Sequence, residues 1–196
     1  INSIFPHRLA ELSEILNFKL ITVSTDCVFD GEKGNYDEDD APNALDLYGT
    51  SKRLGEIVTA NCLTLRTSII GRELRTSHSL LEWFLSNRGK VVDGYVNAIY
   101  SGLPTVVLAD IIKELISNHP EISGLFHVSS NPISKHQLLE LVKSKLRLNI
   151  EIRQSSEFKI DRSLNSDRFR TLTGIVPPDW DTMIEQVALD PNPYDK

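Results

Sequence analysis

Tyr48 and Lys52 stand four residues apart in the run Tyr48-Gly49-Thr50-Ser51-Lys52. On a helix, that spacing sets both side chains on one face, roughly 6 Å apart along the axis. An ammonium beside a phenol favours the ionised ring oxygen. A tyrosine so placed can exchange a proton with a substrate oxygen while hydride moves at the neighbouring carbon. Chance alone gives such a pair in about one chain in four of this composition, so the spacing gains weight only from its surroundings. A long polar loop precedes the pair. Upstream of it an apolar run, Lys19 to Val23, ends in Ser24-Thr25-Asp26. Ligands of open α/β sheets bind beyond the carboxyl ends of the strands, where this triplet would sit. The same triplet could equally cap the turn that follows.

The elements that must hold these residues alternate along the chain. Leu9, Leu12, Ile15 and Leu16 recur at helical spacing, with Pro6 suited to a first turn. Lys19–Val23 is uninterrupted and apolar enough for a buried strand of a parallel sheet. Residues 30–46 form a long loop whose acidic run, Asp37 to Asp40, reads as a solvated surface. A helix is expected over 47–60, capped by Asp46, with Leu54, Ile57 and Val58 toward the sheet. A buried strand over 62–70 follows, then helices over 78–88 and 105–118, a strand at 124–129 and a helix over 134–146. A strand near 150–153 and an amphipathic stretch at 180–188 complete the pattern. Residues 91–104 and 153–170 break it and read as parts of a smaller lobe laid over the sheet. Such alternation predicts an α/β fold with right-handed crossovers.

Composition narrows the function. The 196 residues carry a net charge of −6, with 40% hydrophobic and 24% charged residues. An acidic chain without a basic cluster argues against non-specific binding to nucleic acid or anionic membranes. Nothing is apolar for long enough to span a bilayer. Cys27 and Cys62 lie in apolar stretches without metal-ligand or CxxC spacing, which predicts buried reduced thiols and no metal site. His127, on an apolar strand, reads as a core histidine. The chain opens on Ile1, its only methionine is Met183, and no leader is evident. It therefore reads as cropped from a longer cytoplasmic protein.

The blocks STDCVFDG (24–31), YDEDDAPNALDLYGTSK (36–52), LGE (54–56) and LRTSIIG (65–71) occur in that order. SGLPT (101–105), GLFHVSS (124–130) and DRSLNSDRF (161–169) continue the series. Together they resemble the extended short-chain dehydrogenase/reductases, and within them the dTDP-4-dehydrorhamnose reductase-like group. The resemblance implies the C-terminal part of a Rossmann-type, doubly wound parallel sheet with a small α/β substrate-binding lobe. It makes Tyr48 the proton donor to the C4 carbonyl of a nucleotide-linked keto sugar. Lys52 would hold the nicotinamide ribose, and Thr25, with Ser24 as its alternative, would polarise the same carbonyl. Thr67 and Ser68 would lie near the nicotinamide, and Asp26, Asn97 and Thr105 along the substrate; for these three a loop-positioning hydrogen bond is the competing reading. Two positions depart from the pattern: Cys27 stands where the group often has Tyr, and Ile69 where it often has Trp. Both changes imply a smaller, less aromatic pocket and a related keto-deoxy sugar as an alternative substrate.

The resemblance also implies NADPH or NADH as cofactor, held by a glycine-rich turn that none of the ten glycines here forms. By this reading, residues 1–90 are the remainder of a dinucleotide-binding unit that lacks roughly three βα units, on the order of 80–100 residues. Residues 91–196 are mainly the substrate lobe, with strand 124–129 returning to the main sheet. A chain so cropped is expected to bind cofactor poorly. A homodimer is compatible with the resemblance. Two alternatives stand beside the reductase: a nucleotide-sugar epimerase or dehydratase, and a non-catalytic binding subunit like the regulatory subunit of methionine adenosyltransferase. Dehydratases need an extra acid/base pair after the threonine, and Asp26-Cys27 disfavours them.

Overall fold

The computed structural model describes residues 1–190 other than 74, 75 and 77. Helix α1 (Ile4–Leu16) forms on the predicted periodicity and stops at Asn17. Asn17 takes the left-handed conformation, φ 52°, and returns its N–H to the Ser13 carbonyl, a common helix ending. Strand β1 (Leu20–Thr25) follows and runs two residues beyond the apolar run, so Ser24 and Thr25 belong to the strand itself. Its partner is the fully buried β2 (Cys62–Thr67), parallel and in register from Leu20↔Cys62 to Thr25↔Thr67. β2 in turn pairs in parallel with β6 (Gly124–His127), giving the order β1-β2-β6. Among the described residues β1 pairs on one side only. It is therefore a half-exposed edge strand rather than the buried strand expected, with Val23 39% exposed.

Helix α2 (Leu47–Arg53) starts where expected, with the Asp46 carboxylate accepting the Gly49 N–H, but it ends seven residues early. A Cβ on Gly55 would lie 1.9 Å from the Asn2 carbonyl oxygen, so the chain must pass the residues just before α1 backbone to backbone there. Beyond it only Ile57 is buried, held by two hydrogen bonds to Thr64 Oγ1, while Leu54 and Val58 face outward. The strand expected over 62–70 divides at Ser68. β3 (Ile69–Ile70) leaves the main sheet to pair with β5 (Leu103–Pro104). Helix α3 (Leu80–Leu85) is shorter than predicted, whereas α4 (Thr105–Asn118) coincides with its prediction.

The two irregular segments are in fact the longest strands of the molecule's described part. β4 (Val91–Tyr100) and β8 (Glu151–Asp161) pair in parallel, with an irregularity between Tyr95 and Asn97. β7 (Ile133–Ser134) joins the other edge of β4 antiparallel, making the sheet β7-β4-β8. β8 is an edge strand with most side chains exposed, so it shows neither an apolar run nor an alternation. Helix α5 (Lys135–Leu146) begins with a reciprocal capping box between Ser134 and Gln137. Two short helices, α6 (Asp167–Thr173) and α7 (Trp180–Leu189), close the fold. The main core joins Leu63, Leu65 and Phe126 of the first sheet to Phe84, Leu115, Leu138 and Met183 of the helices. Cys62 is buried beside Ser13, but Cys27 is only half-buried; both are free thiols. Among the described residues no helix is long and apolar enough to cross a membrane, and no cluster of metal-ligating side chains occurs.

Candidate active site

The carboxyl ends of β1 and β2 and the face of α2 enclose a cleft of about 270 Å³. Ser24, Thr25, Tyr48, Lys52, Thr67 and Ser68 all line it, so six residues singled out from sequence meet in one place. Cys27 and Ile69, the two positions that depart from the family pattern, line it as well. Behind β1 the chain makes a single 3-10 turn, Asp26–Val28. A Cβ on Gly49 would come within 2.2 Å of the Cys27 carbonyl oxygen. The glycine inside Tyr48-Gly49-Thr50-Ser51-Lys52 therefore lets α2 lie directly on that turn and brings Tyr48 to the strand ends. Tyr48 is 51% exposed at the cleft wall. Lys52 Nζ donates to the Val23 carbonyl at 2.7 Å, which ties α2 to β1 and leaves two of the three ammonium N–H groups for a ligand.

Thr25 both lines the cleft and caps the turn: its Oγ1 accepts the Cys27 N–H at 3.1 Å and donates to Asp26 Oδ1 at 3.2 Å. Asp26 lies behind the lining rather than in it. Burial pushes its carboxyl upward, opposed by hydrogen bonds from Cys27 and Thr25 and by the Arg162 charge. Burial, then Asp26, likewise raise the Cys27 thiol, whose sulfur accepts from Arg162 Nη1 at 3.5 Å. Lys135 is lowered by burial, with Asp26 and Cys27 pulling it back. Here the Tyr100 hydroxyl and Arg162 Nε are buried without a hydrogen-bond partner among the described residues. Asn97 and Thr105 are not part of the cleft lining. Asn97 is exposed on β4 opposite Lys159, and Thr105 opens α4 against Gly71.

A second polar cluster was not anticipated. Glu56 receives Arg66 through both oxygens, Nε to Oε1 and Nη2 to Oε2, each at 2.7 Å, with both side chains less than 10% exposed. Ser24 Oγ donates to Glu56 Oε1 at 2.7 Å. Arg66 Nη1 meets His127 Nε2 at 3.2 Å, and His127 Nδ1 meets the Tyr36 carbonyl at 3.0 Å. Because arginine only donates, Nε2 accepts and Nδ1 carries the proton. Burial first and the Arg66 charge second push His127 down to about 4, so it is a neutral core histidine. Its backbone N–H donates to Glu38, whose side chain is 4% exposed and faces Arg168. The acidic run is thus not simply solvated: Glu38 and Tyr36 strap the loop onto β6. The sequence did carry one signal for this cluster, an arginine inside the apolar strand Cys62–Thr67, which needs a buried anion somewhere.

The fold and this cleft define a Rossmann-type α/β protein whose polar site lies at the ends of parallel strands. A family model described as the RmlD substrate binding domain matches residues 1–190, and the chain belongs to that family. The dTDP-4-dehydrorhamnose reductase of Aggregatibacter actinomycetemcomitans is 27% identical over 203 residues, covering 91% of this chain and 69% of that protein. Methionine adenosyltransferase 2 subunit beta of Bos taurus is 31% identical over 135 residues, covering 63% of this chain and 40% of the relative. Among solved structures, a hypothetical dTDP-4-dehydrorhamnose reductase from Sulfolobus tokodaii superposes with TM-score 0.76 at 30% identity, covering 92% and 68% of the two chains. The Bacillus anthracis dTDP-4-dehydrorhamnose reductase in complex with NADP gives TM-score 0.81 at 21% identity, covering 96% and 72%, a likeness of fold.

Proposed function

We propose that this chain carries the catalytic cleft of a reductase that converts a nucleotide-linked 4-keto-6-deoxy sugar to its hydroxy form at the expense of NADPH or NADH. The observation that supports it best is the convergence of Ser24, Thr25, Tyr48, Lys52, Thr67 and Ser68 on one cleft at the strand ends. Hydroxyls and an ammonium around a space of this size match the hydroxyl and carboxamide groups of a nicotinamide riboside. The residues here fit that end of the cofactor; the glycine-rich turn for its pyrophosphate is not among them. When bound, the reduced nicotinamide supplies the hydride.

The chain's own residues supply the proton and the alignment. Tyr48 donates its hydroxyl proton to the C4 oxygen as charge develops there. Lys52, anchored on Val23, turns its remaining N–H groups to the ribose. Ser24, Thr67 and Ser68 flank the nicotinamide. Thr25 polarises the C4 oxygen when its proton turns away from Asp26. A neutral Asp26 carboxyl, the form burial favours, would donate to Thr25 instead and free that proton. Asp26, Asn97 and Thr105 are assigned to the sugar side by family resemblance.

Replacing Tyr48 with Phe tests the reading. Oxidation of NADPH or NADH with a dTDP-4-keto-6-deoxy sugar should fall by a factor of about 100 or more. Turnover unchanged by Y48F would overturn it. The Bos taurus relative favours a second reading, a binding subunit without turnover. In that case no sugar-dependent oxidation occurs, and Y48F leaves partner affinity as it was.

A further inference from the structure

Ser24, Arg66 and His127 occupy one row across the main sheet, because β1 pairs Ser24 with Arg66 and β2 pairs Arg66 with His127. Glu56, just past the end of α2, closes on that row from one side. Its Oε1 takes two donors, Ser24 Oγ and Arg66 Nε, and its Oε2 takes Arg66 Nη2. A serine hydroxyl has one proton and two lone pairs. With the proton held at 2.7 Å by a buried carboxylate, only lone pairs are left for the cleft that Ser24 lines. Arg66 cannot rotate to release it, since His127 and the Phe29 ring, 5.3 Å from the guanidinium carbon, hold its other face.

We propose that Glu56 is a positioning residue of this cleft, fixing Ser24 as a hydrogen-bond acceptor for a donor group on the bound ligand. Resting on the reductase reading, the donor is an N–H or O–H of the nicotinamide riboside. The polarity of Ser24 is thus set from behind by a residue that never touches the ligand. A Gln at 56 reverses it. Its oxygen keeps Arg66 Nη2 while its amide N–H, in the place of Oε1, donates to Ser24 and leaves Arg66 Nε without an acceptor, and the Ser24 proton then points at the ligand's donor.

The test is a double-mutant cycle on NADPH and NADH binding, followed by nicotinamide fluorescence, for wild type, S24A, E56Q and S24A/E56Q. S24A should weaken binding about threefold and E56Q about tenfold. The double variant should bind like S24A, so that removing the reversed hydroxyl restores affinity. E56Q within twofold of wild type, or effects that multiply, would overturn the proposal. Should E56Q fail to fold, S24T replaces it: the retained hydroxyl keeps affinity within twofold while S24A loses it, and equal loss in both counts against the proposal. If wild type binds neither dinucleotide, as expected of a chain without the glycine-rich turn, the positioning role is read without ligand, and the reductase reading is judged separately by the Y48F turnover test. The Ser24 hydroxyl proton, followed by NMR, then decides: a resonance unmoved by E56Q sinks the positioning role, and one that shifts or vanishes sustains it.

Discussion

Ser24 and Asp26, two residues apart, enter two buried polar clusters of opposite character. On the Ser24 side every group named has a partner: Glu56 is filled by Arg66 and Ser24, and His127 by Arg66 and Tyr36. On the Asp26 side the bonds are longer, and the Tyr100 hydroxyl and Arg162 Nε lack partners among the described residues. The difference teaches how one strand end can be both a fixed frame and a place of adjustable protonation. A satisfied ion pair holds shape, whereas an underfilled cluster has donors and carboxyl states left to rearrange.

The sharpest way to break this contrast is to remove a charge from each side. Arg66→Leu leaves the Glu56 carboxylate buried beside Ser24 alone and should cost about 3–5 kcal/mol, read from urea unfolding. A loss under about 1 kcal/mol would mean that water reaches Glu56 and that the frame is not rigid. Acid probes the same cluster next. His127 has its folded value lowered to about 4 from an ordinary 6.5, so the unfolded chain binds the proton first. Stability is therefore intact above pH 6.5 and lost as pH falls toward 4, by about 3 kcal/mol. His127→Gln should remove that part of the slope when both proteins are melted across the range.

The cleft wall itself is the third test. Gly49→Ala adds a methyl where the Cys27 carbonyl sits at 2.2 Å, so it should cost about 1–3 kcal/mol despite the better helix propensity of alanine. Thermal melting of that variant at or above wild type would show that α2 does not rest on the turn. The smallest effect belongs to the underfilled side. Asp26 has its folded value raised, so its contribution is present below pH 3.8 and declines as pH rises through that folded value. Asp26→Asn should change stability by less than about 1 kcal/mol at neutral pH, and in the favourable direction. A large loss in denaturant titration would place Asp26 with Glu56 as a structural ion.

What the sequence revealed follows the same division. Tyr48, Lys52, Ser24 and Thr25 were readable because their neighbours are local: a four-residue spacing, and polar residues ending an apolar run. Thr67 and Ser68 came through the family resemblance and the same strand-end logic. Glu56 and Arg66 were not read as a pair, since their meeting depends on where α2 stops, and Gly55 stops it against the Asn2 carbonyl. Glu38 lay inside an acidic run whose other members face solvent or surface cations, so composition hid its burial. β8 was read only at its start, the strand expected near 150–153, because the rest of an exposed edge strand carries no periodic apolar signal to distinguish it from a charged loop.

The strap at Tyr36 has a consequence for the order of synthesis. Tyr36 bridges to Leu164, its N–H bonds to the Ser163 carbonyl, and its carbonyl receives the Asn165 N–H. Partners separated by nearly 130 positions cannot meet until the ribosome has delivered the later one. While residues 1–160 emerge, β1, α2 and β2 can associate and loop 30–46 can reach β6 through Glu38 and Tyr36, but its contacts with Ser163, Leu164 and Asn165 are still missing. The cleft-bearing half thus spends much of its translation with an open flank, and a chaperone or a protease would find that loop first. Closing it late makes the segment around Leu164 a clasp on chemistry laid down earlier in the chain.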